Sequence, residues 1–285
     1  MGAPWAATPS WAAVGLVSDV LGRDVAALLL DADADTLQAT RNAQVASFAL
    51  GLVILDAARA AGLTWAAAAG HSLGEYTALV AAGVLGPEDA ARLVGERAEA
   101  MQTAADARPG TMAAVLGLDA DAVQASCDAA GGEAWTANDN APGQIVVAGT
   151  HAGVAAASAD AKERGGKVMA LAVGGAFHTP LMAGAQERLD RALAAAPFAD
   201  AAATVVANVD AAPHREAAAW APLLAAQLCR PVRWREAVLA LAGLGVTRVV
   251  ELGPGGVLSG MVRRTVPDLG RLAVGTPDEL AAAAP

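Results

Sequence analysis

A serine in a glycine-rich bend is the strongest candidate for a reactive group in this sequence. Ser72 lies in the segment GHSLG, residues 70–74, between small apolar residues and a run with helical spacing. Glycines two places before and after a serine suit a sharp turn from strand into helix, which holds the hydroxyl exposed on a strained backbone. The N–H of Leu73, at the start of that helix, would face a developing oxyanion. The pattern therefore favours a serine nucleophile over an ordinary helix-capping serine.

A nucleophilic serine needs a base, and the chain has four histidines. His178 is the preferred candidate because it lies in VGGAFHTPLM, where small residues join a strand to a helix. His71 neighbours Ser72 in the bend, so its side chain should point away from the serine hydroxyl. His151 opens the last helix of the segment over residues 110–174, and His214 lies in a polar connection; both are predicted to be solvated loop histidines.

An arginine on an apolar helix face bears on whether the substrate carries a negative charge. In the helix predicted over residues 87–105, Arg97 falls on the stripe that also contains Leu93 and Met101. One interpretation is that the side chain runs along the stripe and its head group reaches water. The other is that the desolvated guanidinium pairs with a carboxylate, for which its planar fork is suited. If no acid of the protein occupies that place, a substrate carboxylate can.

The composition predicts a soluble protein that binds neither nucleic acid nor membrane. The 285 residues carry a formal net charge of −10, so the chain lacks the basic surface that nucleic acid and anionic lipid attract. The longest clean apolar run, Val45 to Leu55, is too short to cross a bilayer. Only two cysteines are present, which predicts neither a disulfide framework nor a zinc site. We expect a cytoplasmic protein.

Strand-like and helical segments alternate along the chain, which predicts an α/β fold with a mainly parallel sheet. The predicted strands are short, rich in valine and bounded by turn residues, and they cover residues 144–149, 167–173, 203–209 and 246–252. The predicted helices cover residues 44–62, 73–82, 87–105, 184–196 and 220–228. The glycines after Glu251 predict a tight structural turn and not a phosphate-binding loop.

A small inserted domain is predicted over residues 110–174. The order of elements there is β-α-β-β-α-β, which is typical of a ferredoxin-like unit. The segment NDNAPG, residues 138–143, is predicted to form a turn between two of its strands. Residues 1–109 and 175–285 would then form the large catalytic domain.

Six motifs in order resemble the malonyl-CoA:acyl carrier protein transacylase family and the related acyltransferase domains of polyketide synthases. They are GHSLGEYTALVAAGVL around Ser72, RAEAMQ from Arg97, NDNAPGQIVVAG from Asn138, GAFHTPLM around His178, QLCRPVRW from Gln227 and ELGPGGVLSG from Glu251. The match runs over nearly the whole chain, and six motifs in order are more specific than any one. The resemblance implies an α/β-hydrolase-like large domain with a ferredoxin-like insert.

The resemblance also implies an acyltransferase reaction. Ser72 would attack the thioester of malonyl-CoA, and the malonyl group would pass to the phosphopantetheine thiol of acyl carrier protein for fatty acid or polyketide synthesis. His178 would be the base and then the acid, oriented by the main-chain carbonyl of Gln227 instead of an acidic side chain. Arg97 would hold the free carboxylate of malonate.

The same resemblance implies further pocket residues and partners. The GAFH segment that contains Phe177 is similar to the malonyl-preferring form of its motif, and Phe177, His71 and Asn140 would line the substrate pocket. We expect no cofactor and no metal, and we expect a monomer. Because carrier proteins are acidic, docking requires a local basic patch. Two groups are candidates for it, namely Lys162 with Arg164 and Lys167, or Arg263 with Arg264.

One feature departs from the family's pattern, and three alternatives stay open. The family begins with a strand and a G-Q-G-S-Q loop that supplies a second oxyanion donor, whereas MGAPWAATPSW resembles the segment after that loop. We therefore expect a misplaced start and an upstream segment. The alternatives are the malonyl transferase subunit of malonate decarboxylase, a serine thioesterase or esterase, and a non-catalytic relative. Arg97 argues against a hydrolase of neutral acyl chains, which gains nothing from a buried cation.

Overall fold

Residues 1–283 are described by the structure, a computed structural model. Helices predominate, as the alanine-rich sequence favours. They are α1 (Ala12–Leu21), α2 (Val25–Leu30), α3 (Ala34–Gln38), α4 (Thr40–Ala60), α5 (Gly74–Ala81), α6 (Pro87–Ala107), α7 (Ala120–Ala129), α8 (His151–Glu163), α9 (Ala183–Ala195), α10 (Trp220–Gln227), α11 (Trp234–Gly243), α12 (Val257–Thr265) and α13 (Pro277–Ala283). The strands are β1 (Ala67–Ala69), β2 (Thr111–Leu116), β3 (Ala134–Ala141), β4 (Gln144–Gly149), β5 (Lys167–Ala170), β6 (Thr204–Val206), β7 (Pro213–His214), β8 (Arg248–Leu252) and β9 (Gly270–Val274).

The large domain carries short parallel strand pairs between helices, which confirms the predicted α/β architecture. β1 pairs with β6 in parallel, and β7 adds an antiparallel edge to β6. β8 pairs with β9 in parallel. The helix α4 packs against α6 and α1 and contributes buried Phe48 and Leu55 to the largest apolar core.

Two of the open strand edges in the described part of the chain border the same cavity. β1 has no strand neighbour on the side away from β6, and β8 has none on the side away from β9. Residues of β1 and β8 both line one large cavity. We refer to these as the open edges of β1 and β8.

The insert is a four-stranded antiparallel sheet with the order β3-β4-β2-β5. This is the arrangement that the β-α-β-β-α-β prediction implies, and α7 and α8 pack on it around a core of their own. The domain limits at residues 110 and 174 stay a prediction.

The predicted turn over residues 138–143 is wrong in its extent. Residues 138–141 belong to β3, and only Pro142 and Gly143 turn the chain into β4. β3 shifts register against β4 between Thr136 and Asn138 and again between Asp139 and Ala141. Its other side is bonded to the large domain, because the N–H of Asp139 donates to the carbonyl of Val232 at 2.9 Å. Tertiary pairing thus overrides the local preference of this polar segment for a turn.

One helix, α4, is long and apolar enough to cross a membrane by length and composition. Of its most apolar stretch, 72% is buried inside the protein, as in the core helix of a globular domain. The length and apolar composition of α4 therefore reflect its packing in the core of the protein.

Candidate active site

Ser72 lies at a strained bend between β1 and α5. Its backbone φ is +50°, a left-handed conformation that a residue with a side chain rarely adopts. Two hydrogen bonds from Asn208, which lies just after β6, hold the bend: Oδ1 accepts from the N–H of Ser72 at 2.7 Å, and Nδ2 donates to the carbonyl of Gly70 at 2.7 Å. The predicted strand–turn–helix geometry is present, and Asn208 stabilises it.

His178 and Ser72 form a hydrogen-bonded pair. His178 Nε2 lies 2.8 Å from Ser72 Oγ, and His178 Nδ1 lies 2.8 Å from the main-chain oxygen of Gln227. A carbonyl oxygen can only accept, so Nδ1 carries the proton and Nε2 of the neutral ring is free to accept one from the serine. His178 also has a positive φ of +61°, so both members of the pair sit on strained backbone.

The surroundings keep His178 neutral. Burial lowers the pKa of its imidazole to about 3, helped by the nearby Arg97 cation and opposed by the hydrogen bond to Gln227. A base with a depressed pKa remains unprotonated throughout the physiological range. The arrangement can therefore remove a proton from Ser72 without first having to lose one.

Arg97 is buried against the nucleophile, which answers the question left by its helix position. It is 1% exposed, so its head group does not reach bulk water. Its Nη2 donates to Ser72 Oγ at 3.0 Å and to Gln227 Oε1 at 3.0 Å, and its Nη1 donates to Gln44 Oε1. Its Nε is buried with no hydrogen-bond partner among the described residues. The guanidinium is held by neutral amides, which leaves its charge available to an anion beside Ser72.

A cavity of about 1130 Å³ opens onto the serine. Ser72, Leu73, Arg97, His178, His71 and Phe177 all lie on its wall. The N–H of Leu73 makes no hydrogen bond within residues 1–283 and lies next to the serine in sequence at the start of α5. It is therefore free to donate to an oxyanion formed at the serine.

Asn140 was expected to line this cavity, but it does not lie on the cavity wall. The wall contains Asn138 instead, and Asn140 reaches the site through His71, whose Nε2 lies 2.8 Å from Asn140 Oδ1. The register shift between Asp139 and Ala141 accounts for the difference, because it breaks the regular alternation of side chains along β3. His71 also meets the Trp234 ring edge-on at 5.6 Å between centroids, and burial lowers its pKa.

Sequence reasoning missed three polar residues that complete the site. Asn208 is fully buried and braces the serine bend, Gln44 binds Arg97, and Glu75 bonds both Asn208 and Gln227. Glu75 comes three residues after the nucleophile within GHSLGE, which is the one local signal that could have found it. The part of the chain that the structure describes contains no group of three or more His, Cys, Asp or Glu suited to hold a metal ion.

Comparisons with known proteins identify relatives over nearly the full length. The sequence profile of the family described as "Acyl transferase domain" matches residues 6–279. The malonyl CoA-acyl carrier protein transacylase of Bacillus subtilis is 41% identical over 266 residues, which cover 92% of this chain and 84% of the relative. The polyketide biosynthesis protein ThaF of Burkholderia thailandensis is 38% identical over 259 residues, which cover 88% of this chain but 22% of that larger protein.

Solved structures give the same result. A malonyl-transacylase in complex with its acyl carrier protein from a type II polyketide synthase superposes with a TM-score of 0.95 and 36% identity, covering 100% of this chain and 94% of that one. The malonyl-CoA:acyl carrier protein transacylase of Xanthomonas oryzae superposes with a TM-score of 0.95 and 41% identity, covering 100% of this chain and 92% of that one. By sequence and by fold, the chain belongs to the acyl transferase domain family.

Proposed function

We propose that this protein transfers a malonyl group from malonyl-CoA to the phosphopantetheine thiol of acyl carrier protein through a malonyl-serine intermediate. One observation carries the proposal: Ser72 Oγ lies between a neutral base, His178 Nε2 at 2.8 Å, and a buried cation, Arg97 Nη2 at 3.0 Å. The base supports attack on a thioester, and the cation supports an acyl group that ends in a carboxylate. The names of the relatives at about 40% identity point to the same reaction.

In the first half-reaction, Ser72 Oγ bonds to the thioester carbon while its proton passes to His178 Nε2. The N–H of Leu73 stabilises the negative charge on the former carbonyl oxygen. When the tetrahedral intermediate collapses, the carbon–sulfur bond breaks, and the protonated His178 gives its proton to the departing CoA sulfur. The carbonyl of Gln227 holds the imidazole in the tautomer that both steps require and takes no proton itself.

In the second half-reaction the same residues act in reverse. His178 takes the proton of the phosphopantetheine thiol, the sulfur attacks the malonyl-serine, and the proton returns to Ser72 Oγ as the ester bond breaks. A dyad of serine and histidine is enough because the carbonyl of Gln227 supplies the orienting acceptor that an acid supplies in a triad.

Arg97 would bind the free carboxylate of the malonyl group. Its bonds to Gln44 and Gln227 fix the guanidinium without neutralising it. In a desolvated site, an opposite charge is the partner that such a cation stabilises most strongly. The relatives at about 40% identity are transacylases, so they support neither the malonate decarboxylase subunit nor the thioesterase or esterase as the function.

The partners belong to the same proposal. Acyl carrier protein is the acyl acceptor, and the protein would act in the cytoplasm on fatty acid or polyketide carriers. For docking, the group on α12 is favoured over the group on α8 and β5. α12 separates the cavity, which Leu258 and Val262 line, from a surface hollow lined by Arg263 and Arg271. In the other group, Arg164 is already paired with Asp160 at 2.5 Å.

The test is to incubate the protein with malonyl-CoA and examine the peptide that contains Ser72 by mass spectrometry. We expect a malonyl adduct on that peptide, its absence in Ser72→Ala, and its transfer to the thiol of added holo acyl carrier protein. Release of free malonate with no acylated carrier would support a hydrolase instead. An adduct that persists in Ser72→Ala would contradict the proposal.

A further inference from the structure

Glu75 is a buried acidic side chain that the proposed reaction does not use. Burial raises the pKa of its carboxyl group to about 7, opposed by the hydrogen bonds from Asn208 and Gln227 and by the Arg97 cation. Glu75 is the second residue of α5 and is 1% exposed. Its Oε1 accepts from the main-chain N–H of Asn208 at 2.8 Å, and its Oε2 accepts from Gln227 Nε2 at 2.5 Å. The Glu75 carboxyl group therefore links three segments. One contains Ser72, the second contains Asn208, which holds the serine bend, and the third contains Gln227, which orients His178.

The bond to Asn208 bears on the nucleophile. Asn208 holds the N–H of Ser72 and the carbonyl of Gly70, and these bonds keep Ser72 in its left-handed conformation. The main chain of Asn208 is in turn fixed by Glu75. A strained residue persists only when its surroundings over-determine it, and Glu75 supplies part of that support.

The bond to Gln227 bears on the base and on the cation. The Gln227 side chain donates to the carbonyl of Ser72 at 2.8 Å and accepts from Arg97 at 3.0 Å, while its main-chain oxygen accepts from His178 at 2.8 Å. Glu75 decides which way this amide faces, because its oxygen can accept only from the NH₂ end. With that orientation fixed, the amide oxygen meets Arg97.

A carboxylate is the group that this position requires. Both of its oxygens face N–H donors, so a glutamine at residue 75 would turn an NH₂ toward one of them. Rotation of the Gln227 amide would relieve that conflict only by turning its own NH₂ toward Arg97. Neither arrangement satisfies all the donors, and an unsatisfied donor in a buried network is costly.

We propose that Glu75 is a positioning residue for the Ser72–His178 pair: its carboxylate fixes Asn208 and Gln227, and through them sets the attack geometry of the serine. The inference rests on the proposed function only for the identity of the acyl group. The activation of Ser72 itself can be measured without any malonyl substrate.

The experiment measures how fast phenylmethylsulfonyl fluoride inactivates the full chain. Ser72 Oγ bonds to sulfur, fluoride leaves, and His178 accepts the serine proton, so the rate reports the activated pair alone. Single-turnover malonylation and the KM for malonyl-CoA are measured beside it. A chain that sulfonylates but does not transfer malonyl would refute the proposed function and leave this inference standing.

We expect Glu75→Gln to lower the rate of inactivation and the rate of single-turnover malonylation about 10²-fold each, with little change in KM for malonyl-CoA. A loss of this size is typical when reacting groups are slightly misplaced. Glu75→Asp keeps the carboxyl group but is one methylene shorter, so we expect an intermediate loss. The control is Glu279→Gln, since Glu279 also accepts two N–H bonds, both from the main chain at 2.8 and 3.0 Å, but at the exposed start of α13. It should leave both rates unchanged.

Each variant is assayed at a temperature at which its circular dichroism spectrum equals that of the unchanged chain. If Glu75→Gln does not fold, the inactivation and malonylation rates of Glu75→Asp test the proposal instead. Sulfonylation by either folded variant at the rate of the unchanged chain would overturn the proposal. So would a rise in KM with the single-turnover rates preserved, or an unchanged chain whose Ser72 does not react.

Discussion

Arg97 separates acyl groups by charge, because it places a buried cation beside the serine. Replacing it with alanine removes a charged donor from a desolvated site, which typically costs about 3 kcal/mol, or about 10²-fold in rate. We expect Arg97→Ala to slow malonyl transfer by about that factor more than acetyl transfer. The ratio of kcat/KM for malonyl-CoA and acetyl-CoA is the measurement, because loss of the bonds to Ser72 and Gln227 affects both substrates.

Arg92 offers a matched control on the same helix. Its guanidinium pairs with Asp89 at 2.6 Å on the exposed face of α6, away from the cavity. Arg92→Ala should leave the malonyl-to-acetyl ratio unchanged. Equal losses for both acyl groups in Arg97→Ala would remove the carboxylate role from Arg97.

Single residues with a strong local signature could be predicted from the sequence. Ser72 stands in a glycine-flanked bend, His178 in a small-residue segment, and Arg97 on an apolar helix face, and the structure brings all three together. Asn208 and Gln44 had no such signature. Asn208 contacts Ser72, which is 136 residues away in sequence, and Gln44 contacts Arg97, which is 53 residues away. A local sequence pattern cannot show contacts of this kind.

At the scale of elements, the two glycines of G-x-S-x-G have different physical roles. A Cβ on Gly70 would lie 1.9 Å from the carbonyl oxygen of Gly74, so α5 could not start where it does. A Cβ on Gly74 would meet nothing within 4 Å, and its φ is not positive. The first glycine is therefore required by close packing of the bend, and the second is not.

We expect Gly70→Ala to abolish activity and destabilise the fold, since the clash is with backbone that cannot move aside alone. Gly74→Ala should fold and keep its activity, with a stability gain of up to about 1 kcal/mol from the helix preference of alanine. Thermal unfolding and malonyl transfer measured on the pair decide the matter. Equal damage from both substitutions would contradict these separate roles for the two glycines.

The elements themselves could be predicted best where local pattern and packing agree. The predicted strand over residues 144–149 coincides with β4, and its valines are buried in the small sheet. The polar run from Asn138 to Asn140 has a composition typical of a turn, which is why the sequence predicts one there. Its place in β3 depends on pairing with β4 across a two-residue turn on one side and with Val232 on the other, and the contact with Val232 is distant in sequence.

At the scale of the whole molecule, the α/β class and the inserted antiparallel sheet could be predicted from the order of elements alone. The way in which the two parts meet could not. The site joins Ser72 and His178 of the large domain to Asn140 of the insert through His71, and that junction arises from the bulged course of β3. Docking of an acidic carrier by a chain of net charge −10 is likewise a matter of local placement.

The open edge of β8 leaves backbone amides without a strand partner in a segment that lines the cavity. Gly253 donates to Val274, and Thr247 accepts from Gly270, so odd-numbered residues of this segment bond to β9. In a parallel ladder alternate residues face the same neighbour, so the N–H groups of Val250 and Leu252 face away from β9.

Hydrogen–deuterium exchange resolved by residue should reveal this alternation. We expect the amides of Val250 and Leu252 to exchange faster than those of Val249 and Glu251, which serve as controls within the same strand. Equal protection of all four would mean that another stretch of backbone pairs with the edge. If the alternation is found, water reaches main-chain donors on the wall of the cavity that also contains Ser72, where it would also reach an acyl ester formed on that serine.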